Sequence, residues 1–298
     1  MNNIFKGLIT ALITPFKDDQ IDFTSLEKIV RYQIDNKVDG IVVGGSTGEG
    51  NSLTIPEYES LLKAVVEITQ KKIPIIAGCS AVTKAAVDMV KICAKMPIDG
   101  FMPSIPAYIR PTQEGIFRHF EAIHTASTMP IMLYSVPSRT IVDFTDATIF
   151  KLAQLPRIMA LKDAGKDLER PLRVRAILKE FNLLSGNDEL ALSINAQGGV
   201  GCVSVASNIM PALCKKLQDS CRENNYKEAL QIQQTLLPLY TALFAEPNPI
   251  GVKYAVQAIG LCSGELRLPL TRAEETTQNK INEVIALLFK HKEQRANV

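Results

Sequence analysis

The sequence predicts an α/β protein, a (β/α)8 TIM barrel followed by a C-terminal helical extension. Three observations lead to this fold class: eight short apolar runs of strand length, amphipathic stretches between them, and only helical patterns after the last run. Strands that alternate with helices form a parallel sheet, and a count of eight indicates closure into a barrel. A doubly wound open sheet is the alternative, since counting strands from one sequence is imprecise.

The elements follow from periodicity and from their boundary residues. Thr24, Thr83 and Thr112 are predicted N-caps, because a hydroxyl at the start of a helical pattern accepts a bond from a first-turn N–H. We divide the chain into a barrel with the active site at 1–222 and an extension at 223–298. The predicted strands are 7–13, 40–43, 73–77, 99–102, 130–134, 158–162, 182–185 and 200–205. The predicted helices lie near 24–36, 57–70, 83–95, 112–127, 145–154, 168–180, 188–196, 208–220, 224–244, 249–260 and 272–291.

Composition narrows the class of protein. The 298 residues are 46% hydrophobic, enough for a sizeable core, and a net charge of +2 without a basic cluster argues against a nucleic-acid partner. Six scattered cysteines without a CxxC pair indicate free thiols in a reducing compartment. The apolar start at 7–13 is too short for a signal sequence, and no other run approaches a membrane span. We therefore expect a cytoplasmic protein with no membrane partner, whose charged tail at 290–295 is a solvated helix end.

A lysine and a tyrosine end two of the predicted strands. The run 158–162 ends in Lys162, and the run 130–134 ends in Tyr134. In such barrels function lies where the strands meet the following loops. A lysine in an apolar pocket loses its charge more easily and becomes a nucleophile for carbonyl groups. By position alone, a solvated lysine at a strand end is the commoner explanation.

The loop after the second predicted strand and the loop after Tyr134 carry groups suited to anions. Gly44–Gly50 reads Gly-Gly-Ser-Thr-Gly-Glu-Gly, whose backbone N–H groups and the hydroxyls of Ser46 and Thr47 suit a carboxylate or phosphate. A tight strand-to-helix turn is the alternative. Arg139 is suited to clamping a carboxylate bidentately, or to a structural ion pair. No spacing of His, Asp and Glu indicates a metal.

Taken together, these motifs resemble one family. Gly45–Glu49, Tyr134–Arg139 and the lysine of the sixth strand are similar to the dihydrodipicolinate synthase/N-acetylneuraminate lyase family of class I aldolases. The resemblance covers nearly the whole chain, and the motifs that resemble the synthase branch are Arg110–Gly115, Glu246–Ile250 with Lys253, and Leu266–Leu270. It implies condensation of pyruvate with L-aspartate-4-semialdehyde in the diaminopimelate route of lysine biosynthesis, with no cofactor and no metal.

The resemblance also implies residue roles. Lys162 would form a Schiff base with pyruvate, Tyr134 would carry protons to and from the adduct, and Thr47 would hold the pyruvate carboxylate. Ser46 and Tyr108 would complete a hydroxyl relay with Tyr134. Arg139 would orient this relay and attract the carboxylate of the semialdehyde. The implied catalytic positions are Lys162, Tyr134, Ser46, Tyr108 and Arg139, and the implied substrate-binding positions are Thr47, Gly48, Gly186 and Val203.

In the family the counterpart of Tyr108 crosses from a neighbouring subunit, so the resemblance implies a tight dimer, usually paired into a homotetramer. This chain departs from the family pattern at several positions. Serine at 46 replaces the usual threonine of the synthase branch, Ala107 and Ile109 flank Tyr108, and Asp163 replaces the usual glutamate after the lysine. Two alternatives stay open, another pyruvate-dependent aldolase of the same barrel and a non-catalytic keto-acid sensor or scaffold.

Regulation by L-lysine is expected to be weak or absent. Lysine-inhibited relatives use an acidic residue and a tyrosine at the dimer interface, and the matching positions here are Ala86 and Ala107. The two ring-bearing positions after the glycine loop correspond to Ile55 and Tyr58. Asp88, two residues from Ala86, is the possible replacement for the acidic partner.

Overall fold

The computed structural model describes residues 4–296, and side chains as far as residue 290. Eight parallel strands close into a barrel in the order β1-β10-β9-β8-β7-β6-β5-β4, which confirms the predicted fold class over an open sheet. A short antiparallel hairpin, β2–β3, follows the first strand and was not predicted. The strands are β1 (Gly7–Ala11), β2 (Phe16–Lys17), β3 (Gln20–Ile21), β4 (Gly40–Val43), β5 (Ile75–Cys79), β6 (Gly100–Pro103), β7 (Ile131–Ser135), β8 (Ile158–Asp163), β9 (Asn182–Ser185) and β10 (Gly201–Ser204).

The helices agree with the predicted segments to within a few residues. One short helix, α5, lies in a segment that the sequence did not assign, and a 3-10 turn at Asp188–Leu190 begins the segment predicted near 188–196. The helices are α1 (Phe23–Asp35), α2 (Ile55–Thr69), α3 (Thr83–Cys93), α4 (Gln113–Ala126), α5 (Pro137–Thr140), α6 (Asp146–Leu152), α7 (Arg170–Ile177), α8 (Ala191–Ala196), α9 (Pro211–Arg222), α10 (Tyr226–Leu243), α11 (Ile250–Ala258) and α12 (Glu275–Ala296).

One of the three predicted N-caps is confirmed and two are wrong. Thr112 caps α4 and accepts the N–H of Gly115. Asp22 rather than Thr24 caps α1, because its carboxylate accepts the N–H of Ser25. Thr83 lies inside α3, after the N-cap Val82, and its hydroxyl is bonded instead to His119 at 2.9 Å.

The barrel strands are buried on both faces, which explains why they stand out in the sequence as apolar runs. Inward-facing side chains fill the barrel, and outward-facing ones pack under the surrounding helices. In such a barrel only the carboxyl ends of the strands and the following loops are free to bind a ligand.

The extension packs against the barrel through α10, which contacts α8 and α9, while α11 and α12 pack on α10 and on each other. The segment between α10 and α11 reaches the carboxyl ends of the strands, where its residues line the cleft described below. The division after residue 222 stays a prediction. The charged tail at 290–295 falls in α12, but its side chains after residue 290 lie outside the described part.

Within residues 4–296, no helix is long and apolar enough to cross a membrane. The six cysteines are free thiols, and all but Cys262 are buried.

Candidate active site

Lys162 and Tyr134 lie side by side at the carboxyl ends of β8 and β7. The two residues are direct partners in the strand register, so their side chains leave neighbouring strands on the same face. The Nζ atom of Lys162 lies 4.1 Å from the centroid of the Tyr134 ring. Lys162 is only 4% exposed and Tyr134 is also buried. The lysine is therefore not the solvated residue that its position alone would have favoured.

The glycine-rich loop after β4 brings Ser46 and Thr47 to the same place. Gly44 has a positive φ of 68°, a conformation that other residues rarely adopt, and it turns the chain out of the strand. Gly48 packs against the first strand segment, where a Cβ would lie 2.9 Å from the carbonyl oxygen of Leu12. The loop is thus held close to the barrel, with Thr47 buried and Ser46 half-buried.

A buried ion pair anchors this loop to the C-terminal extension. Nζ of Lys253, on α11, lies 2.7 Å from a carboxylate oxygen of Glu49, and neither side chain is exposed. The same ammonium donates to the carbonyl oxygens of Thr14, at 2.7 Å, and Glu265, at 2.9 Å. Burial lowers the pKa of Lys253, and the adjacent Glu49 carboxylate opposes that shift. The charge of each residue is tolerated inside the protein because the other is present.

Asn248 connects three parts of the site and was not identified from the sequence. Its side-chain amide donates to the hydroxyl of Thr47 at 3.0 Å, and its carbonyl accepts a bond from Arg139 at 2.6 Å. It belongs to Glu246–Ile250, a segment that resembles the synthase branch as a whole. An asparagine in a loop carries no signal of its own, so only the fold places it here.

Arg139 lies on α5 and is exposed. Its bond to Asn248 uses one of the five N–H donors of the guanidinium, and Arg139 lines the cleft described below. Within the described residues Arg139 forms no ion pair, which argues against the structural ion pair considered above.

These residues surround one cleft of about 500 Å³ that opens to solvent. Its charged lining residues are Lys162, Arg139 and Glu246, so the cleft suits a ligand with negative charge. A narrow gap adjoins it, shares Ser46, Thr47 and Lys162 with it, and is also lined by Gly48. The remaining lining residues of the large cleft are Ser46, Thr47, Tyr134, Val136, Ser138, Ala164, Gly186, Asn187, Val205, Phe244, Ala245, Pro247 and Asn248.

Gly186 and Val203 differ in how they relate to the cleft. Gly186 lines it, and a Cβ at this position would lie 2.8 Å from that of Ala164. Val203 is fully buried in β10, opposite Ile9 of β1. Val205, two residues later, lines the cleft, whereas Val203 is absent from its described lining.

Tyr108 lies away from the cleft of its own chain. It occupies the turn between β6 and α4, has a positive φ of 73°, and is 96% exposed. Ile109 beside it is also exposed. A large ring held in solvent on a strained turn is unusual for a single chain, and it suits a surface that another molecule covers.

Comparison with known proteins gives one consistent match. The model of the Dihydrodipicolinate synthetase family matches residues 4–288. The 4-hydroxy-tetrahydrodipicolinate synthase of Rickettsia bellii (strain RML369-C) is 60% identical over 290 residues, which cover 97% of this chain and 99% of that protein.

Solved structures agree with this match. The dihydrodipicolinate synthase of Aquifex aeolicus superimposes with a TM-score of 0.93 at 37% identity, over 95% of this chain and 98% of that one. The 4-hydroxy-tetrahydrodipicolinate synthase of Methylacidiphilum fumariolicum SolV gives a TM-score of 0.93 at 39% identity, over 96% of each chain.

Removing the buried ammonium of Lys253 should destabilise the protein strongly. Lys253→Met leaves the Glu49 carboxylate buried without a cation, which typically costs about 3–5 kcal/mol. The double change Lys253→Met with Glu49→Gln should recover part of that loss, because no uncompensated charge is left. Urea unfolding of the three variants measures this. Lys84→Met is the control, since Lys84 forms only an exposed pair with Asp88 and should stay within about 0.5 kcal/mol of the parent. Equal stability of Lys253→Met and Lys84→Met would contradict the expectation.

Proposed function

Because this chain belongs to the dihydrodipicolinate synthetase family, we propose that its barrel cleft is the site where pyruvate is activated, with Lys162 as the Schiff-base residue. The reaction condenses pyruvate with L-aspartate-4-semialdehyde to give 4-hydroxy-tetrahydrodipicolinate, in the diaminopimelate route of lysine biosynthesis. The chain is thus a lyase of the aldolase type.

One observation carries the assignment of the reacting residues. The amine of Lys162 and the ring of Tyr134 are in contact on adjacent strands, inside a cleft that also contains Thr47 and Arg139. A nucleophile and a proton donor must be close to the same carbonyl carbon for Schiff-base chemistry. The placement of the two residues side by side on adjacent strands supports the assignment.

The chemistry begins with attack of the Lys162 amine on C2 of pyruvate. The carbonyl oxygen takes up a proton and then leaves as water, and the Tyr134 hydroxyl would make these transfers. Loss of a proton from C3 gives an enamine, whose carbon attacks the aldehyde carbon of the semialdehyde while the aldehyde oxygen takes up a proton. The amino group of the semialdehyde would then attack the imine carbon, which closes the ring and releases the Lys162 amine. The hydroxyl and backbone N–H of Thr47, with Gly48, would hold the pyruvate carboxylate, and Asn248 would fix the Thr47 hydroxyl.

Arg139 would bind the carboxylate of the semialdehyde at the outer part of the cleft, and Gly186 would leave room for that substrate. A fixed cation suits a small acidic aldehyde better than a polyhydroxylated chain, so a sugar-acid aldolase is not favoured. Val203 is the substrate-binding assignment with the least support, because Val205 takes its place in the described lining.

Ser46 and Tyr108 would complete the proton relay with Tyr134. Since Tyr108 is exposed and outside the cleft of its own chain, it would act in the site of a second copy. A tight dimer, paired into a homotetramer, is therefore part of the proposal. A cytoplasmic location also remains a proposal, in keeping with the free thiols.

Borohydride reduction in the presence of pyruvate should attach a stable adduct to Lys162 and abolish turnover. The imine is the only intermediate here that borohydride converts into a stable amine, so peptide mass spectrometry identifies the residue. Lys162→Ala should lose both labelling and activity. Lys166→Ala, a change at an exposed lysine four residues away, should keep both. Labelling of another lysine, or normal turnover in Lys162→Ala, would refute the assignment.

Mixing two inactive variants tests whether Tyr108 acts across subunits. Tyr108→Phe and Tyr134→Phe should each lower kcat by about 10²–10⁴-fold, the usual contribution of a general acid-base group. A dimer of Tyr108→Phe with Lys162→Ala would contain one complete site, so kcat should partly recover. Tyr134→Phe mixed with Lys162→Ala is the control and should not recover, because both residues belong to the same chain's site. No recovery in verified mixed dimers of the first kind would place Tyr108 in its own chain's site.

L-lysine should inhibit weakly or not at all. Ala86 is fully buried, and the Tyr58 hydroxyl is buried and donates to the carbonyl of Gly78, so neither offers a contact to a ligand. Asp88 is exposed and paired with Lys84. The ammonium groups of bound L-lysine would lose hydration without gaining a carboxylate partner, which makes binding unfavourable. Initial rates at saturating pyruvate across a lysine titration measure this. Strong inhibition below about 1 mM, which corresponds to a binding free energy beyond about −4 kcal/mol, would contradict the expectation and point to Asp88 as the partner.

A further inference from the structure

A second row of paired residues lies directly behind Lys162 and Tyr134. Ser135 and Asp163 are the next residues on β7 and β8, and they too are direct partners in the strand register. Because side chains alternate along a strand, this pair points away from the cleft, toward the layer between strands and helices. Both residues are buried.

Arg170, at the start of α7, connects Asp163 to Asp143, which in turn contacts Ser135. Its Nη1 donates to Asp163 at 3.1 Å, and its Nη2 donates to Asp143 at 2.7 Å. The other carboxylate oxygen of Asp143 accepts the hydroxyl of Ser135. The chain of contacts Ser135, Asp143, Arg170, Asp163 therefore links the end of β7 to the end of β8 through side chains alone.

Asp163 also supports the wall of the cleft. Its carboxylate accepts the N–H of Gly165 at 2.8 Å, and its carbonyl accepts the N–H of Gly186 at 2.6 Å. The carbonyl of Gly165 in turn accepts the side-chain amide of Asn187 at 3.2 Å. A shift of Asp163 would thus move both the strand that carries Lys162 and the loop that carries Gly186.

This cluster is poorly suited to a purely stabilising role. Only 5% of the Arg170 side chain and 4% of the Asp163 side chain are exposed, and Nε of Arg170 is buried without a hydrogen-bond partner. Burial raises the pKa of Asp163, and Arg170 opposes that shift. Buried charges cost so much hydration that such clusters often contribute little net stability, whereas their directional bonds fix geometry.

We propose that Asp163, Arg170 and Asp143 are positioning residues for the reaction, which set the spacing of the Lys162 amine and the Tyr134 hydroxyl. The proposal rests on the proposed function of Lys162. None of the three residues lines the cleft, so they act through the two strand ends. A misplacement of reacting groups by about 1 Å can cost about 10²-fold in rate, so a small loss of register has a large effect.

Three variants test the proposal: Arg170→Lys, Asp163→Asn and the double change. A lysine carries a single point charge and cannot span both carboxylates as the planar guanidinium does. Asp163→Asn is nearly isosteric and does not disturb the ion pair between Arg170 and Asp143. It can therefore test the proposal even if Arg170→Lys folds poorly. Arg173→Met is the matched control, because Arg173 lies one turn further along α7 and pairs with Asp146 and Asp167 at the surface.

We expect kcat to fall about 10–100-fold in Arg170→Lys and Asp163→Asn, with the KM for pyruvate within about threefold of the parent. The KM should be kept because the Thr47 loop is anchored by Lys253 and not by this cluster. The double variant should lose little more than the worse single variant, since the residues act as one unit. The rate of borohydride-trapped labelling of Lys162 should fall in parallel with kcat.

The proposal is overturned if both single variants have a kcat within twofold of Arg173→Met, or if they lose melting temperature and pyruvate affinity while kcat is kept. Labelling of the parent enzyme separates this inference from the function on which it rests. If the parent is labelled at Lys162 and the variants react normally, only the positioning role fails. If the parent is not labelled at Lys162, both fail.

Discussion

The ion pair between Lys253 and Glu49 is the constraint on which the arrangement of the cleft depends. It joins the loop after the second barrel strand to a helix of the C-terminal extension, with no exposure of either side chain. The extension is thereby held where Asn248 meets both Thr47 and Arg139. Arg267, also in the extension, supports the same link, because its backbone N–H donates to the Glu49 carboxylate and its guanidinium pairs with Glu57 on α2.

The two faces of β7 and β8 carry different kinds of residues at the carboxyl ends of these strands. On β7 and β8 one residue of each strand faces the cleft and the next faces the helices, which gives a reacting row and a supporting row one residue apart. The reacting row needs an amine and a hydroxyl with little water around them. The supporting row can carry full charges, because Arg170 lies between two carboxylates. One alternating pattern thus produces both a place for chemistry and a rigid backing for it.

Much of the fold could be predicted from the sequence, because parallel strands buried on both faces leave continuous apolar runs. All eight barrel strands and the long helices were found in this way. The hairpin β2–β3 was missed, since strands of two residues leave no periodic signal. The cap Asp22 was missed because Asp22, Thr24 and Ser25 are all polar and lie close together at the helix start. The cap Val82 was missed because its side chain makes no capping hydrogen bond and so leaves no signal in the sequence.

Within the site, Lys162, Tyr134, Ser46, Thr47 and Arg139 were predictable because they lie in strand ends and motifs that resemble a known family. Their roles stay predictions. Asn248 was not identified from the sequence, since it contacts Thr47 and Arg139, which are far away in the sequence. The contacts of Arg170 with Asp143 and Asp163 were not identified either, because they depend on how the start of α7 packs on the ends of the strands. Val205 lines the cleft and Val203 does not, because Val203 lies deeper in the barrel. Sequence periodicity does not show how deep a residue lies along the barrel.

The ammonium of Lys253 contacts the carbonyl of Thr14, a partner 239 positions earlier in the chain. The last barrel strand ends at Ser204, so a growing polypeptide contains every strand before it contains this ammonium. During synthesis, Glu49 is therefore a carboxylate that must stay hydrated, and the loop beside it cannot yet settle into the interior. The order of translation thus makes the finished substrate pocket one of the last parts of the molecule to form, and a nascent barrel on the ribosome is not yet a catalyst.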